Sequence, residues 1–312
     1  MEQSKTIPTP EEIARVKGLG FLRDKTTPDA FNARVITKNG KVSAKTLEAV
    51  AKAATLFGNG EVTLTTRMSF EIQRIPYANI DAFCAFLAKH GLETGGTGPR
   101  VRPVVSCKGT TCQYGLIDTF ALSEKIHERF YKGYRTVKLP HKFKITVGGC
   151  PNNCAKPDLN DIGIIGARVP ACDPDLCRSC KVCTVAAACP VKNAHLENGK
   201  ITIDKDTCNG CGRCIGKCPF HAVSEQQHGY RVYIGGRFGK QVARGRALSR
   251  ICQSEEEVLS LIEKCILLFR ERGVAGERFA DTIARLGFES TECLLQGDDL
   301  LARKDEILKD RT

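Results

Sequence analysis

The chain has 312 residues, of which 42% are hydrophobic and 26% charged, and its formal net charge is +12. This length allows one large domain or two to three smaller ones, and the composition is that of a globular protein rather than a disordered one. An excess of basic residues is typical of nucleic-acid binding, but no basic patch with interleaved aromatic residues occurs, so we expect the charge to balance a bound anionic group instead.

The N-terminal region predicts neither a secretory signal nor a membrane anchor. The first residues, MEQSKTIPTPEE, contain no apolar core and no cleavage site of small residues. The apolar run at 265–269 is too short to cross a bilayer. Residues 1–30 are rich in proline and charge and predict an extended N-terminal arm. We therefore expect a cytoplasmic protein that does not contact a membrane.

Residues 31–96 alternate between strand and helix patterns. The segment 31–44 predicts a strand and a turn, and Ser43 is placed to cap an amphipathic helix. Apolar and polar residues alternate from 61 to 72, which predicts one strand with Arg67 on its polar face. A second amphipathic helix follows. This order predicts an α+β half-domain of the ferredoxin-like type.

Two stretches further along the chain predict a second domain, made of residues 97–168 and 227–312. RPVVSC and KFKITVGGC predict strands that run into Cys107 and Cys150, and a helix is expected from about Gly115 to Tyr131. Between the two stretches, residues 169–226 are rich in cysteine, glycine and proline. We predict that this block is a separate domain inserted into the second one.

The inserted block carries a doubled cysteine motif. The run CNGCGRCIGKCP fits the C-x2-C-x2-C-x3-C-P pattern of dicluster ferredoxins, in which the fourth cysteine binds the other cluster. CRSCKVCTVAAACP repeats it thirty-one positions earlier, with a longer last gap. Zinc is the alternative, but it prefers pairs separated by longer loops. We predict two [4Fe-4S] clusters, one on Cys177, Cys180, Cys183 and Cys218, and one on Cys189, Cys208, Cys211 and Cys214.

Four further cysteines follow two predicted strands. Cys107 and Cys112 come after the first strand, and Cys150 and Cys154 after the second. Four thiolates at neighbouring strand ends suit a third [4Fe-4S] cluster, although on spacing alone a structural zinc site competes.

These cysteines also carry a family resemblance. The pattern C-x4-C…C-x3-C, with GCPNNCAK and DIGIIG (161–166), resembles the sirohaem-dependent sulfite and nitrite reductases, and particularly the C subunits of anaerobic, dissimilatory-type sulfite reductases, which carry a similar ferredoxin insert. GEVTLTTRMSFEI resembles the strand that opens the active site in that family. The resemblance covers about residues 31 to 250. One departure is that the family usually has five residues, not four, within the first cysteine pair.

The resemblance implies roles for individual residues. Cys154 is expected to bridge the cubane cluster to the sirohaem iron. Four cations match the positions at which the family binds the anionic substrate and supplies protons: Arg67, Arg102, Lys142 and Lys144. Three further residues are expected to contact the sirohaem carboxylates: Thr65, Ser69 and Arg237.

The implied reaction is the six-electron reduction of sulfite to sulfide. Electrons from a donor protein or subunit would pass through the two ferredoxin clusters to the third cluster and sirohaem. Nitrite reduction to ammonia is an alternative, although nitrite-reducing relatives tend to carry an amide at the position of Lys144. Two further hypotheses are an electron-transfer subunit without a substrate of its own, and a redox sensor. We expect a homo- or hetero-oligomer and no nucleic acid partner.

Overall fold

A computed structural model of the chain describes residues 8–309, which divide into two compact units. The first unit comprises the described residues up to Ser106, Phe120–Thr146, and the described residues from Glu263 onward. The second unit comprises Cys107–Thr119 and Val147–Ile262.

The chain contains both strands and helices, as the α+β prediction requires. The strands are β1 (Phe21–Arg23), β2 (Ala30–Val35), β3 (Val62–Leu64), β4 (Phe70–Pro76), β5 (Val105–Ser106), β6 (Ile145–Gly148), β7 (Ile162–Cys172), β8 (Ala194–Glu197), β9 (Lys200–Ile203), β10 (Val223–Ile234) and β11 (Arg246–Cys252). The helices are α1 (Pro10–Gly18), α2 (Ala44–Phe57), α3 (Ile80–Lys89), α4 (Thr119–Ile126), α5 (Thr184–Ala188), α6 (Glu255–Arg272), α7 (Phe279–Leu286), α8 (Phe288–Gln296), α9 (Asp299–Ala302) and α10 (Lys304–Leu308).

The N-terminal segment is folded, in contrast to the extended arm that its composition predicts. Helix α1 begins with a capping box, in which the Thr9 hydroxyl accepts from the Glu12 N–H and the Glu12 carboxylate accepts from the Thr9 N–H. Val16 of α1 and Phe21 of β1 are fully buried in the core of the first unit. The arm prediction is therefore wrong from residue 10 to residue 23, because two apolar side chains tie the segment down. Residues 1–7 lie outside the described part.

The first unit contains a four-stranded antiparallel sheet in the order β1-β2-β4-β3. Helix α2 begins at the predicted cap, where the Ser43 hydroxyl accepts from the Thr46 N–H. Phe31 and Ile72 of the sheet and Phe83 of α3 are fully buried in one hydrophobic cluster. The predicted half-domain of strands and amphipathic helices thus has a core of its own.

The segment 61–73 is a hairpin rather than the single predicted strand. β3 and β4 flank a tight turn in which the Thr65 N–H donates to the Ser69 carbonyl oxygen at 3.0 Å, and Met68 adopts a φ of 57°. The Thr65 and Ser69 hydroxyls lie 2.7 Å apart. Hydroxyl groups that satisfy backbone donors favour a turn over a continuous ladder. Arg67 therefore lies in the turn, not on a strand face.

The second unit is organised around two long strands. β7 and β10 pair antiparallel from Ile162 opposite Ile234 to Cys172 opposite Val223, and β11 pairs antiparallel with the other side of β10. The chain passes from the first unit to the second at the end of β5 and again within β6. Residues 173–222 leave from the end of this strand pair and return to it. They contain α5, the β8–β9 hairpin and a small hydrophobic cluster.

Within residues 8–309, no helix is both long enough and apolar enough to cross a membrane.

A buried histidine lies in the first unit, where α4 continues into a π-helical turn at His127–Lys132. His127 is 2% exposed, and its ring packs against Tyr131 at 4.9 Å between centroids. Burial lowers the pKa of His127 from 6.5 to about 4. The unfolded chain therefore binds this proton more tightly between pH 6.5 and 4, so stability falls as the pH is lowered through that window.

We predict that replacing His127 with Phe reduces the acid sensitivity of the fold. The free energy of unfolding of the native protein should fall by about 2 kcal/mol between pH 7 and pH 5 on account of His127 alone, and this loss should disappear in the variant. Urea titrations at both pH values measure it. His90→Gln, which changes an exposed histidine of the same unit, is the control. An unchanged pH dependence in His127→Phe would contradict the assignment.

Candidate functional site

A cavity of about 390 Å³ in the first unit collects the predicted cations. Its lining includes all four of the residues expected from the sequence: Arg67, Arg102, Lys142 and Lys144. Each of these side chains is half-buried. The structure thus gathers, around one opening, positive groups that come from three separate parts of the sequence.

Arg67 reaches the cavity from the tip of the β3–β4 turn. Its guanidinium donates two hydrogen bonds to the Pro103 carbonyl oxygen, at 2.8 Å and 3.2 Å, and one to the Ile145 carbonyl oxygen at 3.3 Å. These bonds fix the orientation of the guanidinium at the cavity.

The two lysines reach the cavity because the residue between them is buried. Phe143 is fully buried, and its backbone pairs with the segment that carries Arg102: the Arg102 N–H donates to the Phe143 oxygen at 2.8 Å, and the Phe143 N–H donates to the Arg100 oxygen at 3.0 Å. In an extended segment the neighbours of a buried residue lie together on the opposite side. β6 begins only at Ile145, so the lysines precede the predicted strand, but the extended pairing gives them the expected common side.

Two further cations line the cavity that the sequence did not indicate. Lys17 comes from the last turn of α1, and Arg34 comes from β2, where it forms an ion pair with Glu71 at 3.1 Å. The positive character of the region is also visible at His141, whose pKa is lowered by burial and then by nearby positive charges, among them Lys142 and Arg102. The helix signals of α1, Thr9 before Pro10, could have placed Lys17 on a folded element.

The predicted sirohaem contacts divide between the two units. Thr65 and Ser69 line the cavity. Arg237 belongs to the second unit, where its backbone pairs with Ala243, and it is not among the residues that line this cavity.

In the second unit, glycines bring the loop that carries Cys107 and Cys112 close to the loop that carries Cys150 and Cys154. A Cβ on Gly149 would lie 2.7 Å from the Gly109 Cα and 3.5 Å from the Cys107 sulfur. The Gly149 N–H donates to the Cys107 sulfur at 3.1 Å, and the Thr119 hydroxyl donates to the Cys107 oxygen at 2.7 Å. The loops that carry Cys107–Cys112 and Cys150–Cys154 therefore touch through their backbones.

The surroundings of these thiols suit a [4Fe-4S] cluster. Burial raises the pKa of the Cys150 thiol, and the nearby Cys107, Cys112 and Cys154 raise it as well, which shows that the four groups are neighbours. Backbone N–H groups aimed at sulfur are a common way in which proteins stabilise cluster thiolates. Cys154 is exposed, whereas the other three are partly buried.

One of the two predicted cysteine sets of residues 169–226 lines a common cavity, which is formed in part by Cys189, Cys208, Cys211 and Cys214. Burial raises the pKa of Cys214 to about 11, with smaller contributions from the other three thiols. Cys177, Cys183 and Cys218 of the other predicted set pack in the hydrophobic cluster of this block, which also contains Cys189 and Cys214. The Ile201 N–H donates to the Cys177 sulfur at 3.4 Å. Cys180, the remaining member, is exposed.

Among residues 8–309, no three cysteine, histidine, aspartate or glutamate side chains stand close enough to share one metal ion. In a cubane cluster each of the four thiolates binds a different iron, so the thiolates do not have to share one metal ion.

The chain matches known proteins over most of its length. The family described as "Nitrite and sulphite reductase 4Fe-4S domain" matches residues 97–295, and "Nitrite/Sulfite reductase ferredoxin-like half domain" matches residues 23–90. The chain is 32% identical over 233 residues to the coenzyme F420-dependent sulfite reductase of Methanocaldococcus jannaschii, covering 74% of this chain but 36% of that relative. It is 31% identical over 222 residues to the C subunit of the anaerobic sulfite reductase of Salmonella typhimurium, covering 66% and 64%.

The fold is similar to that of dissimilatory sulfite reductase I, with a TM-score of 0.67 at 21% identity, over 85% of this chain and 69% of that one. The chain thus spans about a third of the length of the first relative and about two thirds of the other two proteins.

We predict that Gly149→Ala separates the two cysteine loops, since the new methyl group would meet the Gly109 backbone. Iron analysis of anaerobically purified protein should show a loss of about four irons per chain, the content of one cluster. Gly239→Ala, at a glycine with nothing within 4 Å of the added methyl group, should keep all of its iron. Full iron content in Gly149→Ala would show that the loops tolerate separation.

Proposed function

The chain belongs to the nitrite and sulphite reductase family, and we propose that it is a sirohaem-dependent reductase that converts sulfite to sulfide. The family resemblance and the α+β reductase fold with its ferredoxin-like half-domain are thereby confirmed, and the inserted dicluster ferredoxin domain stays a prediction. The observation that carries the choice of reaction is the cavity in which Arg67, Arg102, Lys142 and Lys144 meet. A half-buried group of cations is a site for a small anion, and sulfite is one.

The four cations divide into two kinds of chemistry. The guanidinium groups of Arg67 and Arg102 present planar forks that suit the oxygens of an oxyanion. Lys142 and Lys144 carry ammonium protons on flexible stems, and they can pass these protons directly or through water to oxygens that leave as water. Hydrogen sulfite takes up six electrons and six protons to give HS⁻ and three waters, so proton delivery is as necessary as charge.

The cofactors are proposed from the family and from the fit of the thiols. Sirohaem, when bound, would supply the iron at which the substrate is reduced. Cys154 would hold it, because this thiol is exposed while Cys107, Cys112 and Cys150 are partly buried. From the family resemblance we also propose Thr65, Ser69 and Arg237 as contacts of its carboxylates.

Three [4Fe-4S] clusters complete the proposal. One is held by the two glycine-joined loops, and two are held by the inserted ferredoxin block of residues 169–226, in the two combinations predicted from spacing. Cluster thiolates and sirohaem carboxylates would also offset the formal charge of +12.

Nitrite reduction is the second candidate, since the matching family includes nitrite reductases. Lys144 favours sulfite, because the nitrite-reducing members tend to carry an amide at that position. An electron-transfer subunit without a substrate is disfavoured by the four cations around one cavity.

We further propose a cytoplasmic location, where thiols stay reduced. We also propose an electron-donor protein and an oligomer, as the name of the Salmonella relative, a subunit, suggests.

The cofactor content is tested first. Anaerobically prepared protein should contain about twelve cluster irons and one haem iron per chain, with the visible bands of sirohaem. Cys154→Ala should lose the sirohaem bands and keep the iron of the ferredoxin block. Cys293→Ala, which changes an exposed thiol in α8, should keep both. A native protein with cluster iron but no sirohaem bands would favour the electron-transfer subunit.

Substrate choice is tested at Lys144. We predict that Lys144→Asn lowers kcat/KM for sulfite about tenfold or more and lowers it less for nitrite, because the amide removes one charge and one proton donor. Lys138→Asn, an exposed lysine of the same segment, should leave both rates unchanged. An equal loss on the two substrates would remove the argument that Lys144 favours sulfite.

A further inference from the structure

We propose that Arg213 and Tyr114 are positioning residues that hold one of the two ferredoxin cysteine sets against the loops of the third cluster. The inner set is Cys189, Cys208, Cys211 and Cys214, and the outer set is Cys177, Cys180, Cys183 and Cys218. The cubane loops are residues 107–116 and 149–154. All of these residues lie in the second unit. The inference rests on the proposed function, because it presupposes that the three clusters are bound.

The inner set lies directly on strand β7. The Arg168 N–H donates to the Gly210 carbonyl oxygen at 2.7 Å, and Arg168 forms a parallel bridge with Cys211. Gly212 has a φ of +67°, and a Cβ there would lie 2.8 Å from the Arg168 Cβ. The backbone of the 209–213 loop is therefore held on the strand at close range, and only a glycine fits at 212.

The cubane loops lie on the same strand two residues earlier. A Cβ on Gly166 would lie 2.5 Å from the Gly149 oxygen and 3.1 Å from the Leu116 Cβ. His228, opposite Arg168 on β10, hydrogen-bonds through Nε2 to the Leu116 oxygen at 2.8 Å. Two residues of strand span about 7 Å, so both sets of loops are anchored on one short stretch of β7.

A cavity of about 470 Å³ is shared by the two sets. Cys150 and Tyr114 contribute to its lining from the cubane loops, and Cys211 and Arg213 contribute from the inner set. Across it, the Arg213 guanidinium lies over the Tyr114 ring, 4.8 Å from the centroid. This cation–π contact is a side-chain link between the two loops, in addition to their common anchorage on β7.

The outer set has a different environment at the equivalent positions of the repeat. Val182 corresponds to Arg213, and it is 76% exposed. Lys181 corresponds to Gly212 and is exposed, as is the ligand Cys180. One half of the repeat therefore contacts the cubane loops, whereas Cys180, Lys181 and Val182 of the other half are exposed to solvent. This fixes the order of relay as outer set, inner set, cubane loops, with one electron passed at each transfer and no bond made or broken.

The order is tested by electron paramagnetic resonance on the reduced holoprotein. Cys180→Ala and Cys211→Ala should each lose about four irons, from the outer and inner clusters respectively. Magnetic coupling between the third cluster and a ferredoxin cluster should persist in Cys180→Ala and vanish in Cys211→Ala. The reverse pattern, with the iron losses as expected, would overturn the order and leave the proposed function intact. Full iron in both variants would overturn the cluster assignment and this inference with it.

The positioning role is tested by the rate at which the third cluster is reduced after flash photoreduction of the ferredoxin block. Arg213→Ala and Tyr114→Leu should slow this step about two- to fivefold, the population shift expected from losing one exposed cation–π contact. Their cluster signals and midpoint potentials should stay unchanged. Arg213→Lys, which keeps a cation over the ring, should restore the rate, and Val182→Ala should not alter it. Native rates in both Arg213→Ala and Tyr114→Leu would overturn the role.

Discussion

The contact between two glycine backbones, Gly109 and Gly149, is the constraint on which the second unit depends. The cysteine pairs on either side lie far apart in sequence, and they meet only because no side chain stands between the loops. Gly115 reinforces the contact, since a Cβ there would collide with the Gly109 carbonyl group. The hydrogen bonds from Gly149 and Thr119 to Cys107 then fix the thiol in place. Backbone packing thus brings together the two loops that carry these four cysteines.

The two halves of the doubled cysteine motif lie in different surroundings. Its two halves share the spacing of their first three cysteines, yet position 212 is glycine where the other half has Lys181. Only the glycine half can approach Arg168 closely. The close approach makes the two halves unequal, because the glycine half lies against β7 while Cys180, Lys181 and Val182 of the other half are exposed. In the proposed relay this inequality selects one route for electrons, whereas two identical halves would offer two equivalent routes.

Ligand spacing is a local property of the chain, so the sequence alone predicts which cysteines group together. The grouping of Cys189 with Cys208, Cys211 and Cys214 follows from the ferredoxin pattern alone, and the structure places the four around one cavity. The turn at Thr65–Ser69 could not be predicted from the sequence, because an alternating pattern fits one long strand and also fits the two strands of a hairpin. Lys17 and Arg34 could not be predicted as cavity residues, because their common position depends on the tertiary packing of α1 and β2, which no local pattern specifies.

The cation cavity carries an electrostatic cost that explains its construction. Half-buried positive groups repel one another, and the pKa of His141 beside them is lowered by burial first and by the nearby positive charges second. Arg67 is oriented by the carbonyl oxygens of Pro103 and Ile145, which are dipoles rather than charges. The remaining repulsion is relieved when an anion enters. Anion binding at this site is therefore favoured by a repulsion between cations that is already present in the folded protein. A neutral molecule of the same size would gain nothing from relieving it.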